Sequence, residues 1–159
     1  GSHDDTTPQG RAAWRKRGVF VAEFPETLPA AEAAAEAGDQ VVLGSPNVVR
    51  GGSHNGNVSA IDLIMMGVGG ALASDYHYPS PRRAAFMLAD SGVISLSQAW
   101  HLVSSGPASM LGLTDRGSLE IGKRADVLVL NAATRRVAMT MASGRVSYMS
   151  GEIAARLVA

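Results

Sequence analysis

Cysteine is absent from the 159 residues, so there is no disulfide framework, thiolate metal site or cysteine nucleophile, and histidine and carboxylate are the strong metal ligands on offer. Excess charge is absent too. Lys plus Arg and Asp plus Glu both number 14, giving a formal net charge of zero. No global field therefore recruits nucleic acid or an anionic membrane, neither is expected as a partner, and an anionic substrate must be held by local charge. A long apolar run is also missing. The longest mostly apolar stretch, residues 63–74, is broken by Gly67, Gly69 and Gly70 and falls short of the roughly 20 residues a membrane span needs. The amino terminus is polar and acidic, unlike a secretory leader, and a cytoplasmic setting is expected.

What is present is a repeated pattern of short apolar runs, each ending at polar residues and followed by a helical stretch. Gly1-Ser2-His3-Asp4-Asp5 reads as the end of a strand, with a helix over residues 8–17 closed by Gly18. Val19-Phe20-Val21-Ala22 stops at Glu23-Phe24-Pro25, and residues 28–37 form an Ala/Glu-rich helix ended by Gly38. Val41-Val42-Leu43 opens into a loop over residues 44–57, with a helix from 58 to about 66. Ala71-Leu72-Ala73 ends at Ser74-Asp75-Tyr76, and a helix follows over residues 81–89 with Pro81 in its first turn. Strand, loop and helix at this spacing imply parallel strands joined by crossovers, whose carboxyl ends form the ligand face. A last helical region over residues 95–104 leads through Pro107 and a turn at residues 110–113 into a different element. There a Gly117-Ser118 turn, a charged corner at Lys123-Arg124-Ala125-Asp126, an apolar strand of mostly buried types and a second strand closing at Gly151-Glu152 form a small β-element without catalytic groups.

Three strand ends carry candidate chemistry. In His3-Asp4-Asp5 an imidazole followed by carboxylates suits a divalent cation, with a carboxylate orienting the second ring nitrogen; Gly-Ser-His at a chain start is equally the remnant of an expression tag. Asp75, leaving a buried strand, is either a helix cap or a site residue, and Tyr76 to Ser80 separate it from the helix at Pro81, which weakens the cap reading. A positioned carboxylate there is suited to act as a general base. The run Asn47 to Asn57 places Arg50 before Gly51-Gly52 with His54 close by: paired glycines let backbone amides approach an anion and the guanidinium offers a fork for phosphate oxygens, the alternative being a long surface loop. Arg82 and Arg83 read as a solvated helix face, His77 as a strand-end residue within reach of a substrate, and His101, beside Trp100, as structural.

The run GSLEIGKRADVLVL at residues 117–130 and GRVSYMSGE at residues 144–152, together with SHDDTTPQG, VAEFPETLPAA, NVVRGGSHNGN and ASDY, resembles the amidohydrolase superfamily. In that superfamily the last strands return to a small β-sandwich beside a metal-dependent (β/α)8 barrel. A whole barrel takes about 200 residues or more, so the resemblance implies an α/β chain holding the carboxyl-terminal half of one. Residues 1–113 would supply the fifth to eighth strands and residues 114–159 the sandwich strands. Within the superfamily the pattern is most similar to the branch that hydrolyses a phosphoanhydride of a ribose 5-triphosphate in phosphonate catabolism, releasing pyrophosphate.

By that resemblance His3 is a metal ligand and Asp75 both a metal ligand and the catalytic base, while Arg50 and His54 contact the triphosphate with Asn47 and Asn57 beside them. Glu23 stands where many members carry a histidine, so it is either a replacement ligand or a structural acid. The implied cofactor is a divalent metal, zinc first, and the implied partners are a phosphorylated small molecule and either a second copy or a complementary amino-terminal half. The superfamily's first-strand His-x-His pair and its bridging mid-barrel residue have no counterpart, so the chain by itself is expected to be inactive. Two other readings stand beside this one: an amide or cyclic-amide hydrolase or deaminase of the same superfamily, and a truncated fragment without enzymatic function.

Overall fold

A computed structural model describes residues 1–52 and 56–157, and the chain divides into two compact units, Gly1–Gly112 and Leu113–Ala159. The first is built on a parallel sheet of four short strands in the order β1-β2-β3-β4: β1 Ser2–His3, β2 Val21–Glu23, β3 Gln40–Gly44 and β4 Ala71–Ala73. Each crossover is helical, and the caps explain where the helices begin. Thr7 accepts the Gly10 amide at the start of α1 (Pro8–Lys16), and Thr27 accepts the Ala30 amide at the start of α2 (Leu28–Glu36), each with a proline in the first turn. Gly18 and Gly38, at φ 79° and 75°, end these two helices in the left-handed region that glycine enters without a steric cost.

Between β3 and β4 the chain departs from the sequence expectation. The stretch read as a loop from residue 44 contains a short helix, α3 (Ser45–Arg50), before α4 (Ala60–Met65). Local propensity disfavours α3, whose Ser-Pro-Asn-Val-Val-Arg sequence contains two β-branched residues. Burial overrides it: Ser45, Pro46 and Val48 are buried, and Gly51 closes the helix at φ 78°. After β4 come α5 (Ser80–Asp90), α6 (Leu96–His101) with a Ser95/Gln98 capping box, and α7 (Ser105–Met110), for which the sequence alone gives no element, the turn expected at residues 110–113 beginning at its last residue. Gly106 explains how α7 fits. A Cβ at that position would lie 2.1 Å from the Gly70 carbonyl oxygen, so only glycine lets the helix approach the start of β4.

The core of this unit runs between the sheet and its helices through Ala22, Val41, Leu43, Leu72, Leu63 and Leu88. Alanines at 31, 34, 84 and 85, all fully buried, keep α2 and α5 close to it. One charged group lies at comparable depth. The Arg11 side chain on α1 is 1% exposed and faces Asp5 Oδ2 at 3.2 Å and Asp39 Oδ2 at 3.1 Å, two carboxylates that are 4% and 0% exposed. It also donates to Ser2 Oγ and the Val19 carbonyl, while Arg15 pairs with Asp39 from the rim. This network links β1, α1, the start of β2 and the turn before β3.

The second unit is an antiparallel sheet of β5 (Val127–Leu130), β6 (Val137–Ala142) and β7 (Arg145–Met149) in that order, followed by α8 (Gly151–Leu157). The sequence reading had two strands here. The central one, β6, was missed, and β5 is only partly buried rather than a core strand. The charged corner is a fastening: Asp126 accepts the Ser143 amide at 2.8 Å and pairs with Arg124 at 2.9 Å, and the Gly144 amide donates to the Ala125 carbonyl. The Ser143 hydrogen bond, then Arg124, hold the Asp126 carboxyl below its ordinary range, as the side-chain bond from Arg116 does for Asp115. Depressed carboxylates stabilise the fold fully above their ordinary values, and the contribution is lost as pH falls through the lowered ones. Acid titration of this unit's backbone resonances is expected to show Asp126 protonating below 3.8, with the corner opening at the same pH; titration at the ordinary 3.8 would contradict the fastening role.

Candidate functional site

The carboxyl ends of the parallel strands surround a cavity of about 190 Å³. Three residues that turn the chain away from strand ends there, Asp4 after β1, Phe24 after β2 and Asp75 beyond β4, have φ of 56°, 53° and 48°, and all three line the cavity. Non-glycine residues in this region cost of order 1–3 kcal/mol each and persist only where surrounding bonds enforce them. Those bonds are visible: the Asp4 amide donates to the Glu23 carbonyl at 3.0 Å, and the Phe24 amide to the Val42 carbonyl at 2.9 Å. Around Asp75 the turn is pinned from below by two buried serines. Ser45 Oγ lies 2.7 Å from both the Ala73 carbonyl oxygen and Ser80 Oγ, and Ser80 Oγ lies 2.6 Å from the His77 carbonyl oxygen, so the two hydroxyl protons serve three contacts. Asp75 does not cap α5, whose cap position is Pro79.

Arg50 lines the same cavity from the end of α3, exposed, with its guanidinium carbon 5.5 Å from the centre of the Tyr76 ring. Asn47 and Asn57 also line it, and their amides hold the ends of the loop. Asn47 Oδ1 accepts the Ala60 amide at 3.1 Å and its Nδ2 faces the Val58 carbonyl at 3.4 Å; Asn57 Nδ2 donates to Glu26 Oε1 at 3.1 Å. His54 lies outside the described residues. His77 contributes its carbonyl to the turn, and His101, on α6, bonds Ser105 Oγ through Nδ1 at 2.8 Å and lines a separate cavity.

His3 and Glu23 are register partners on β1 and β2, with His3 Nε2 4.0 Å from Glu23 Oε2 and His3 Nδ1 2.9 Å from Asp4 Oδ2. One imidazole nitrogen is thus oriented by a carboxylate while the other faces a second carboxylate, an arrangement suited to two positions of a metal's coordination shell. A tight site takes three or four protein ligands. Among the described residues no three His, Cys, Asp or Glu side chains are grouped to hold a metal, and Asp75 does not complete such a group with His3 and Glu23. These residues alone therefore do not make a complete metal centre.

Sequence reasoning missed Asp4 as a cavity residue, Phe24, Glu26, the Ser45–Ser80 link and Tyr76. An aspartate after a short apolar run marks Asp75, whereas only Gly1, Ser2 and His3 stand before Asp4 and no such run marks it. Nothing local marks Ser45 and Ser80, 35 residues apart, as partners.

Parallel strands with helical crossovers, polar residues and two carboxylates gathered at the carboxyl ends, and a small separate sheet point to one class of hydrolase. The chain belongs to the amidohydrolase family, which residues 7–154 match, and members of that superfamily generally use divalent metals. It is 47% identical over 130 residues to the alpha-D-ribose 1-methylphosphonate 5-triphosphate diphosphatase of Escherichia coli (strain K12), an alignment covering 80% of this chain and 34% of that enzyme. The chain thus spans about a third of the length of this curated relative. Among solved structures it is similar to a beta-aspartyl dipeptidase from Fervidobacterium islandicum AW-1 (TM-score 0.72, 11% identity, 94% of this chain and 47% of that one). It is also similar to the N-acetylglucosamine-6-phosphate deacetylase of Pasteurella multocida (TM-score 0.65, 13% identity, 90% and 48%). These two likenesses establish the fold and nothing about substrate. No helix among the described residues is long and apolar enough to cross a membrane.

Proposed function

We propose that this chain is the carboxyl-terminal part of a cytosolic hydrolase that cleaves alpha-D-ribose 1-methylphosphonate 5-triphosphate to the 5-phosphate and pyrophosphate. In this reading the parallel sheet is the fifth to eighth strands of a (β/α)8 barrel, and the antiparallel sheet is part of the small β-sandwich of that superfamily. The observation that carries the proposal is Arg50 lining one cavity with Asp75, in a chain 47% identical to a diphosphatase with that substrate. Asp4 and Asp75 repel an anion, so the phosphates are held on the Arg50 side, with the Gly51-Gly52 amides and His54 completing the cradle. Asn47 and Asn57 keep the loop that carries this cradle in place and touch the substrate from its base. Asp75, turned into the cavity by its backbone, accepts the proton of the attacking water. His3 and Glu23 would supply two ligands to a divalent centre whose remaining ligands come from residues outside this chain.

The test is a fusion of the chain behind the amino-terminal portion of the Escherichia coli enzyme. Pyrophosphate release from the ribose triphosphate is expected. Turnover of an N-acyl or cyclic amide in its place would shift the assignment to another branch of the family, and no turnover of either would leave a fragment without enzymatic function. A second measurement isolates the phosphate cradle. Arg50→Ala is expected to weaken triphosphate binding by about tenfold to a hundredfold, the size of a bidentate charge-assisted contact of roughly 1.5–3 kcal/mol, and to affect the monophosphate product far less. Isothermal titration showing equal losses for both ligands would place Arg50 on the ribose or the loop.

A further inference from the structure

We propose that Tyr76 is a positioning residue for Arg50, holding its guanidinium over the ring so that the fork of N–H groups faces the cavity before any phosphate arrives. This rests on the reading of Arg50 as a phosphate contact. An exposed arginine has several rotatable bonds, and ordering them on binding costs conformational entropy. A side chain already resting on an aromatic face has lost part of that freedom in the free protein, so less is lost when the ligand binds.

Three observations support the pairing. The guanidinium carbon lies 5.5 Å from the Tyr76 ring centre, inside the roughly 6 Å range of a cation–π contact. Tyr76 is 65% exposed yet lines the cavity with Arg50, so its ring is not committed to the core. It is presented by a fixed turn: the His77 amide donates to the Ser74 carbonyl at 3.0 Å, and the Ser80 amide to the His77 carbonyl at 2.9 Å, above the buried Ser45–Ser80 link. The parallel register of Gly44 with Ala73 brings the two elements together, because α3 leaves β3 beside the point where this turn leaves β4. Since Asp75 immediately precedes Tyr76, one rigid turn sets both the proton acceptor and, through the ring, the phosphate fork. The spacing between the reacting water and the departing phosphates is then built into the turn.

The experiment is isothermal titration of the full chain with inorganic tripolyphosphate, with orthophosphate as the comparison. Tyr76→Leu removes the π-face at similar size and is expected to weaken tripolyphosphate binding about two- to fivefold, the scale of an exposed cation–π contact. Tyr76→Phe keeps the face and is expected to bind as the native chain does. In an Arg50→Ala background Tyr76→Leu is expected to have no further effect. In the fused enzyme Tyr76→Leu should raise KM while leaving kcat within about twofold, because the ring does not touch the reacting atoms. An equal loss from Tyr76→Leu with and without Arg50 would overturn the proposal by showing that the ring acts on the ligand itself, and a Phe variant as weak as Leu would assign the effect to the hydroxyl. If Arg50→Ala weakens binding and Tyr76→Leu does not, positioning alone is refuted; if Arg50→Ala is silent, the phosphate reading of the cavity falls with it.

Discussion

Arg11→Ala is expected to destabilise the first unit by about 3–5 kcal/mol, the cost of removing one partner from a buried ion network. A domain of this size is stable by roughly 5–15 kcal/mol, so the variant should be largely unfolded well before the native chain in urea. The reason is what remains behind: the Asp5 and Asp39 side chains, 4% and 0% exposed, would lose the cation that faces them at 3.2 and 3.1 Å. Arg15 reaches Asp39 alone, from the rim, and cannot replace a fork that also takes the Ser2 hydroxyl and the Val19 carbonyl. Adding Asp5→Asn and Asp39→Asn to Arg11→Ala should recover part of the loss, because neutral amides cost less to bury than unpaired charges. A loss below about 1 kcal/mol in the single variant would show that water reaches these carboxylates and that the network adds little.

Asp75→Asn is expected to lower turnover of the fused enzyme by about a hundred- to ten-thousandfold, the usual contribution of a positioned general base, while leaving the denaturation midpoint unchanged. Asparagine is the informative substitution for a backbone reason. Asp75 sits at φ 48°, and asparagine tolerates the left-handed region as well as aspartate does, whereas alanine would add strain to the chemical change. Asp75→Gly supplies the converse: it relieves the strain, so stability should rise slightly while activity is lost as fully as with asparagine. Turnover of Asp75→Asn equal to that of the unaltered enzyme would remove the residue from the mechanism. A fall in turnover accompanied by a lower midpoint would make its role structural.

Much of the first unit was legible because its signals are local. A threonine before a proline, an alanine-rich stretch and a closing glycine define α2 without reference to anything beyond ten residues away, and the observed helix agrees within a residue at each end. Two failures have the opposite character. Helix α3 has poor intrinsic propensity and forms because Val48 and Pro46 are buried against elements far along the chain; β6 is a different case, since turns at residues 132–134 and at Ser143-Gly144 do bound its Val-Ala-Met-Thr-Met-Ala sequence, and the signal for it was present. Arg11 sits in a polar helix beside Arg15, at the rim, and exposed Lys16, and nothing adjacent in the sequence marks it as the one that is buried.

The sequence by itself determined the alternation of strand and helix, the strand ends at which chemistry gathers, and the family, because apolar runs, caps and an ordered motif are properties of neighbouring residues. Tertiary structure decided which of those residues act together. The parallel register of Gly44 with Ala73 sets Arg50 near Tyr76, the His3–Glu23 register lays an imidazole beside a carboxylate, and the turns at Asp4, Phe24 and Asp75 face one cavity only because strand-end hydrogen bonds hold their backbones at positive φ. Such pairings join residues 20 or more positions apart, and their free energy comes from contacts that exist only once the sheet has formed.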